Sequence, residues 1–150
     1  MAGNRITEAA FVPGTAPKSP GEISIIPGEL VSILIPCCGM LEYTKLCVPS
    51  ILKHSRSPFE LIFIDIGSLD GTAEYLAGLQ TVYPSLRVEV VRTPTDLGIK
   101  DACKDALARA RGQYLVLLNN DTIVTNSWLN QLIGLANMSP AVGAVGPMSN

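Results

Sequence analysis

The sequence of 150 residues lacks long hydrophobic runs, carries little net charge and shows no secretion signal, and each absence excludes a class of protein. Its apolar stretches are no longer than a β-strand, whereas a membrane-spanning helix needs about 20 apolar residues in succession. The formal net charge is only −2, so the chain offers no broad basic field to a nucleic acid or an anionic membrane. The first residues show neither the basic start nor the apolar core of a signal peptide.

Cysteine is scarce as well, and the four cysteines form no C-x-x-C pair. A domain of this size does not need disulfides for stability, so we expect reduced thiols in a cytoplasmic protein. Hydrophobic residues make up 47% of the chain and charged residues 16%, which excludes wholesale disorder. The length is that of about one domain.

Residues 1–28 differ from the rest of the chain because proline and glycine interrupt every periodic pattern there. We predict a flexible Pro/Gly-rich tail over 1–28, in which 23–26 is compatible with one edge strand. Residues 29–150 are predicted to form the folded domain.

Beyond residue 30, apolar strand-length runs alternate with helical patterns. The predicted strands cover 31–35, 59–64, 86–91, 113–118 and 142–145. The predicted helices cover 43–53, a segment that begins within 68–72, 98–111 and a segment around 128–136. Alternation of this kind predicts an α/β fold with a mostly parallel, doubly wound sheet flanked by helices.

In such a sheet, ligands bind outside the carboxyl ends of the strands. The rule selects the four segments 36–39, 65–70, 92–96 and 119–122, which carry carboxylates, amides, hydroxyls and glycine. These groups suit a ligand that contains a sugar or nucleotide together with a divalent cation. The common phosphate-binding patterns G-x-x-x-x-G-K-[ST] and G-x-G-x-x-G are both absent.

Four motifs follow one another in the chain: Ser32-Ile-Leu-Ile-Pro36, Leu61-Ile-Phe-Ile-Asp-Ile-Gly-Ser-Leu-Asp-Gly-Thr72, Asp96-Leu-Gly98 and Ala110-Arg-Gly-Gln-Tyr-Leu-Val-Leu-Leu-Asn-Asn-Asp-Thr122. In this order they resemble the nucleotide-sugar-binding half of family-2 glycosyltransferases, which have the GT-A fold. The resemblance covers roughly residues 30–150.

The resemblance implies roles for particular residues. Asp65 faces the nucleobase, and the main chain of Pro36 and Cys37 flanks the base and the ribose. Asn119 contacts the ribose, and Asp121 binds Mg²⁺ or Mn²⁺ on the diphosphate. One or two carboxylates suffice for such a metal when phosphate oxygens supply further ligands.

Three more residues are expected among the contacts of the nucleotide sugar: Ser68, Asp96 and Asn120. For Ser68 and Asp96 the sequence leaves a second interpretation open, in which the side chain caps a helix. Asp70 is interpreted as a helix-start residue that the helix dipole favours.

The implied function is inverting transfer of a sugar from a nucleoside-diphosphate sugar to a hydroxyl of a saccharide, lipid or protein acceptor. The family's catalytic base lies downstream of the metal motif, and no acidic residue here matches it. The catalytic residue is therefore unknown, and we expect a GT-A domain that is incomplete at its C-terminus, before the acceptor half.

Two alternatives stay open. Departures from the family pattern at Cys38, Gly39, Ile66 and Lys104 favour a non-catalytic scaffold or interaction module with the same fold. A receiver-like or flavin-binding α/β domain is the other alternative, although the acidic motif after the fourth strand argues against it.

Overall fold

Strands and helices alternate along the chain in a computed structural model that describes residues 8–11, 29–93 and 98–147. The strands are β1 (Glu8–Phe11), β2 (Val31–Cys37), β3 (Phe59–Ile66), β4 (Val88–Thr93), β5 (Tyr114–Leu117) and β6 (Ala144–Val145). The helices are α1 (Leu41–His54), α2 (Thr72–Val82), α3 (Gly98–Arg109) and α4 (Trp128–Ala136). Within these ranges, none of the helices has the length and apolar character needed to span a bilayer.

The strands form one sheet in the order β4-β3-β2-β5-β1-β6. Four neighbouring strands, β4, β3, β2 and β5, run parallel to one another, as the alternating pattern predicts. At the other side of the sheet, β1 pairs antiparallel with both β5 and β6. The prediction of a mostly parallel α/β sheet is confirmed.

Strand β1 lies inside the segment 1–28, for which the sequence predicts a tail. Its four residues, Glu-Ala-Ala-Phe, lack the β-branched side chains that mark a strand, so only pairing with β5 reveals it. The possible edge strand at 23–26 lies outside the described residues. The predicted strand at 142–145 is shorter than expected, because only the two residues of β6 pair with β1.

Alternating side chains of the central strands build two apolar layers, one on each face of the sheet. On one face Ile33, Leu61 and Phe63 pack with buried residues of α1, α2 and α4. On the other face Leu34 and Ile62 pack with buried alanines of α3. Helices therefore cover both faces, and the strands are held with their carboxyl ends along one edge of the sheet.

Candidate functional site

Three side chains lie side by side where the parallel strands end. Cys37 of β2 is opposite Asp65 of β3 in the strand register, and Asp65 is opposite Arg92 of β4. Paired residues of neighbouring strands point to the same face. The carboxyl edge of the sheet thus presents a thiol, a carboxylate and a guanidinium in one row.

Asp65 is fully buried, which is unusual for a carboxylate. Its Oδ1 accepts a hydrogen bond of 3.1 Å from the backbone N–H of Ser68. Its Oδ2 lies 3.3 Å from Nε of Arg92 and accepts no hydrogen bond from any residue that the structure describes. A buried carboxylate needs polar partners, so this oxygen is suited to accept a hydrogen bond from a ligand.

Arg92 is half-exposed and closes the row on the solvent side. Besides its ion pair with Asp65, it donates a hydrogen bond of 3.1 Å to the backbone carbonyl of Ser68. The sequence places the segment 92–96 at a strand end, but no pattern in it assigns a role to Arg92. Its position directly after the alternating run at 86–91, which predicts a strand, was the signal that could have identified it.

Ser68 forms a hydrogen bond to a neighbouring loop and does not cap α2. Its Oγ accepts a hydrogen bond of 2.7 Å from the backbone N–H of Gly39. This contact joins the loop after β3 to the loop after β2. The interpretation of Ser68 as a helix cap is wrong, because the residue is committed to the neighbouring loop.

Asp70 caps two helices at once. Its Oδ1 accepts hydrogen bonds from the Thr72 hydroxyl at 2.6 Å and the Thr72 N–H at 3.2 Å, at the start of α2. Its Oδ2 accepts a hydrogen bond of 2.9 Å from the N–H of Leu41, the first residue of α1. The bonds from Thr72 and Leu41 lower the pKa of Asp70 from its ordinary value. The prediction of a helix-start residue holds, and the second helix was not foreseen.

The loop after β2 has a backbone conformation that side chains disfavour. Gly39 has φ +68° and Met40 has φ +61°, both in the left-handed region. A Cβ on Gly39 would also lie 3.3 Å from Oδ2 of Asp70, so glycine suits this position for two reasons. Cys38 in the same loop is exposed.

The Cys37 thiol is buried beneath this loop. Burial, together with the nearby Asp65 carboxylate, raises its pKa to about 12. The thiol is therefore neutral at physiological pH, and a neutral thiol is a weak nucleophile. Pro36 is half-buried, and its partner in the register is Ile64.

The turn that follows β5 contains Asn119, Asn120 and Asp121, all half-buried. The Asn119 carbonyl accepts hydrogen bonds from Thr122 N–H at 3.2 Å and from the Cys47 thiol at 3.8 Å. The Asn120 amide donates to the Gly39 carbonyl and to the Thr44 hydroxyl. Burial and, to a smaller extent, the Asp121 carboxylate raise the pKa of Cys47 to about 12.

The residues of this turn fit a hard divalent cation only in part. Asp121 supplies one carboxylate, Asn119 an amide oxygen and Thr122 a hydroxyl that is buried without a hydrogen bond to the described residues. Within the described ranges no three His, Cys, Asp or Glu side chains assemble into a metal-binding group. Oxygen donors of this kind suit Mg²⁺ or Mn²⁺ when a bound diphosphate completes the coordination.

Contacts between the loops after β2, β3 and β5 thus bring several of the predicted site residues to one edge of the sheet. These residues are Cys37, Asp65, Ser68, Asn119, Asn120 and Asp121. Asp96 lies within 94–97, outside the described residues. The contacts of Asp70 with α1 and of Asn120 with Gly39 have no signal in the sequence, because both depend on the spatial approach of distant loops.

Comparison with known proteins adds a family and a fold. The profile described as "Glycosyl transferase family 2" matches residues 32–148. The glycosyltransferase GlyG of Streptococcus pneumoniae is 28% identical over 104 residues, which are 69% of this chain and 34% of GlyG. A putative teichuronic acid biosynthesis glycosyltransferase, TuaG of Bacillus subtilis, is 33% identical over 92 residues, which are 61% of this chain and 36% of TuaG.

Two solved structures share the fold. A mannosyltransferase from Pyrobaculum calidifontis, in complex with GDP-Man and Mn²⁺, superposes with a TM-score of 0.65 at 18% identity, over 78% of this chain and 36% of that one. Staphylococcus aureus TarS 1–349 in complex with UDP gives a TM-score of 0.60 at 18% identity, over 71% and 31%. The GT-A fold predicted from the sequence is confirmed, and the chain spans about a third of these proteins' length.

Proposed function

This chain belongs to glycosyl transferase family 2, and we propose that the carboxyl edge of its sheet binds the nucleotide part of a nucleoside-diphosphate sugar. The observation that carries the proposal is the buried Asp65 carboxylate, whose Oδ2 accepts no hydrogen bond from the described residues. An N–H group of a nucleobase is a donor of the kind that this oxygen needs. The likeness in fold to proteins solved with GDP-Man and with UDP supports the choice of ligand.

The loop after β2 would flank the base and the ribose. Its main chain at Cys37 and Pro36 lies beside Asp65 in the sheet, and its conformation is held by Ser68 and Asp70. A loop that is already ordered loses little entropy when a ligand binds, so it can contribute affinity through backbone contacts. Asn119 is proposed to contact the ribose, and Asp96 the donor.

Asp121 is proposed to hold the divalent metal, together with oxygen atoms of the diphosphate. When bound, Mg²⁺ or Mn²⁺ stabilises the negative charge that develops on the leaving nucleoside diphosphate. The Mn²⁺ in the complex of the Pyrobaculum mannosyltransferase supports this assignment. The oxygen donors of the turn at 119–122 are consistent with it.

The proposed reaction is a direct displacement at the anomeric carbon. The acceptor hydroxyl oxygen forms a bond to that carbon while the bond from the carbon to the diphosphate oxygen breaks, which inverts the configuration. The hydroxyl proton passes to a base, for which the described residues offer no assigned candidate. Their part is to bind and orient the donor, with a saccharide, lipid or protein as acceptor.

We also propose that the protein works in the cytoplasm. All four cysteines are free, including the exposed Cys38, as expected in a reducing compartment.

A second candidate function is a non-catalytic module that keeps the fold and binds a partner protein. The observation that favours it is the single carboxylate, Asp121, in the turn after β5. The substitution Asp121→Ala separates the two functions. Loss of the Mn²⁺-dependent part of nucleotide binding at an unchanged melting temperature supports the transferase, whereas an inert substitution supports the module.

The proposed function is tested by a thermal-shift titration with UDP, GDP and dTDP, each with and without MnCl₂. A ligand that binds only the native state stabilises it by about 2.7 kcal/mol at a hundredfold excess over Kd, so we expect one nucleotide to raise the melting temperature clearly. Asp65→Asn keeps the size of the side chain but removes its charge, and we expect it to abolish the shift.

The matched control is Asp105→Asn, which makes the same chemical change at an exposed site on α3. This variant should respond to the nucleotide as the wild type does. A flat response of the cooperatively melting wild type to all three nucleotides would contradict the proposal.

A further inference from the structure

The Asn120 side chain bridges two loops that are 81 residues apart in the sequence. Its Nδ2 donates hydrogen bonds to the Gly39 carbonyl at 3.1 Å and to the Thr44 hydroxyl at 2.9 Å. The Gly39 carbonyl can only accept a hydrogen bond, so the amide nitrogen, and not its oxygen, must face it. The turn after β5 is thereby attached to the loop after β2 and to the first turn of α1.

The loop at 38–40, which receives this hydrogen bond, is held in place by hydrogen bonds from other loops. Gly39 and Met40 both have positive φ, and a left-handed conformation at Met40 is unfavourable by itself. The Gly39 N–H is bound by Ser68 and the Leu41 N–H by Asp70, both from the loop after β3. From the turn after β5, Asn120 donates a further hydrogen bond, to the carbonyl of Gly39.

The turn itself has a second, independent anchor to α1. The Val124 N–H donates a hydrogen bond of 3.1 Å to Oγ of Ser50, and the Cys47 thiol contacts the Asn119 carbonyl. Asn120 is therefore not needed merely to attach the turn to the helix. Its particular contribution is the link to the loop at 38–40.

We propose that Asn120 is a positioning residue that fixes the loop at 38–40 relative to Asp121, so that nucleoside and metal-bound diphosphate fit at the same time. The proposal rests on the function proposed above, in which that loop flanks the base and Asp121 holds the metal. A nucleotide without metal engages chiefly the loop side of the site. A nucleotide with Mn²⁺ engages both sides and gains from a spacing that is set beforehand.

This role differs measurably from direct contact with the ligand, which the sequence predicts for Asn120. A side chain that contacts the ribose would contribute to affinity with and without metal. A side chain that sets the distance between two subsites contributes only when both are occupied. The dependence of affinity on metal therefore distinguishes the two roles.

The test is isothermal titration calorimetry of wild type and Asn120→Ala with UDP and GDP, in MnCl₂ and in EDTA. For the nucleotide that binds, we expect the affinity of the variant to fall by about three- to tenfold in MnCl₂, the contribution of one hydrogen bond. In EDTA we expect a change of less than about twofold, because only one subsite is then engaged.

Two further variants keep the test informative. Ser50→Ala removes the hydrogen bond from Val124 to α1, which is part of the second anchor, and should lower the melting temperature while leaving the ratio of affinities in MnCl₂ and EDTA unchanged. Thr44→Val has nearly the same shape as the fully buried Thr44 and removes one of the two acceptors of Asn120. It should reduce the affinity ratio in the same direction as Asn120→Ala, by less, and it serves alone if Asn120→Ala does not fold.

The results separate the inference from the function on which it rests. An equal loss of affinity in MnCl₂ and EDTA would assign Asn120 to direct ligand contact and overturn the inference. Unchanged affinity in both would overturn it as well, while leaving the proposed function intact. Absence of binding by the wild type would refute the proposed function, and the inference with it.

Discussion

The two edges of the parallel sheet each bury a carboxylate, Glu60 where the strands begin and Asp65 where they end. The exposed fractions are alike, at 1% and 0%, and both residues belong to β3. They differ in how many of their carboxylate oxygens accept hydrogen bonds from neighbouring groups. Burial is therefore common to both edges, and the hydrogen-bond partners distinguish them.

At the amino edge, every oxygen of Glu60 is occupied. Its Oε1 accepts hydrogen bonds from the Ser32 hydroxyl at 2.5 Å and the Arg111 N–H at 2.7 Å, and its Oε2 forms an ion pair with Arg87. Burial alone would raise the pKa of Glu60, but the bonds from Ser32, Arg111 and Arg87 outweigh burial and lower it. A carboxylate satisfied in this way holds strands together and has no capacity for a ligand.

At the carboxyl edge, the described residues give Asp65 one backbone hydrogen bond, from Ser68, and an ion pair with the half-exposed Arg92. Arg87 is better shielded than Arg92, with side-chain exposures of 25% and 52%. Burial of a charged group therefore does not identify a functional site by itself. An unsatisfied polar atom in the buried group is the more specific sign.

Exchanging each of the two carboxylates for an amide should have the most different effects at the two edges. Glu60→Gln leaves Arg87 without its buried partner, and we expect a loss of about 3 kcal/mol in the free energy of unfolding. Asp65→Asn loses only a pair with a half-exposed arginine, so we expect a change of at most about 1 kcal/mol. Urea denaturation at neutral pH measures both.

Nucleotide binding should respond in the opposite order. At a temperature where both variants are folded, Glu60→Gln should bind the nucleotide as the wild type does, and Asp65→Asn should not. Equal destabilisation by the two substitutions would show that the edges do not differ in the way we describe.

Substitution of one glycine at each edge by alanine should also affect the two edges differently. A Cβ on Gly112 would lie 2.5 Å from the backbone nitrogen of Ser32, a contact that requires the segment before β5 to shift away from β2. We expect Gly112→Ala to destabilise the protein by about 2 kcal/mol or more. At Gly39 the Cβ would meet a side-chain oxygen at 3.3 Å with φ +68°, so we expect about 1 kcal/mol for Gly39→Ala.

Thermal denaturation followed by circular dichroism compares the two glycine variants. Only Gly39→Ala should weaken nucleotide binding, because Gly39 lies in the loop of the proposed site. A smaller loss of stability for Gly112→Ala than for Gly39→Ala would contradict the account.

Acid should remove the stabilisation that Glu60 provides at the amino edge of the sheet. The pKa of Glu60 is lowered in the folded state, so its stabilisation is present above the unfolded-state pKa of about 4.3 and is lost as the pH falls through the lower, folded-state pKa. We expect the stability difference between wild type and Glu60→Gln to shrink steadily below about pH 4.3. Urea titrations from pH 6 to pH 3 test this, and a difference independent of pH would assign the effect to packing.

The sequence was sufficient to predict the alternation of strands and helices, because buried parallel strands and helix faces have distinct apolar periods. It also placed Asp65 and Asp121 at strand ends, since the carboxyl edge of an α/β sheet follows from the order of the elements. Strand β1 was missed, because Glu8–Phe11 has no strand-like composition and forms by pairing with β5.

The contacts between loops could not be predicted from local patterns. The pattern around Ser68 and Asp70 predicts helix-start residues, yet Ser68 binds Gly39 in the loop after β2 and Asp70 also binds Leu41 at the start of α1. The tie from Asn120 to Gly39 joins residues whose approach depends on how β5 pairs with β2. Such contacts require the assembled sheet, which periodicity and capping preferences do not specify.

The most direct test of the contrast between the two edges is a ¹⁵N–¹H NMR titration of the wild-type protein with the nucleotide that binds, in the presence of MgCl₂. We expect the chemical shifts of backbone amides in 38–41, 65–71 and 119–122 to change. Those of the amides of Glu60, Arg111 and Gly112 should stay unchanged. Shifts concentrated at Glu60, Arg111 and Gly112, or no shifts at the carboxyl edge while the nucleotide binds, would contradict this account.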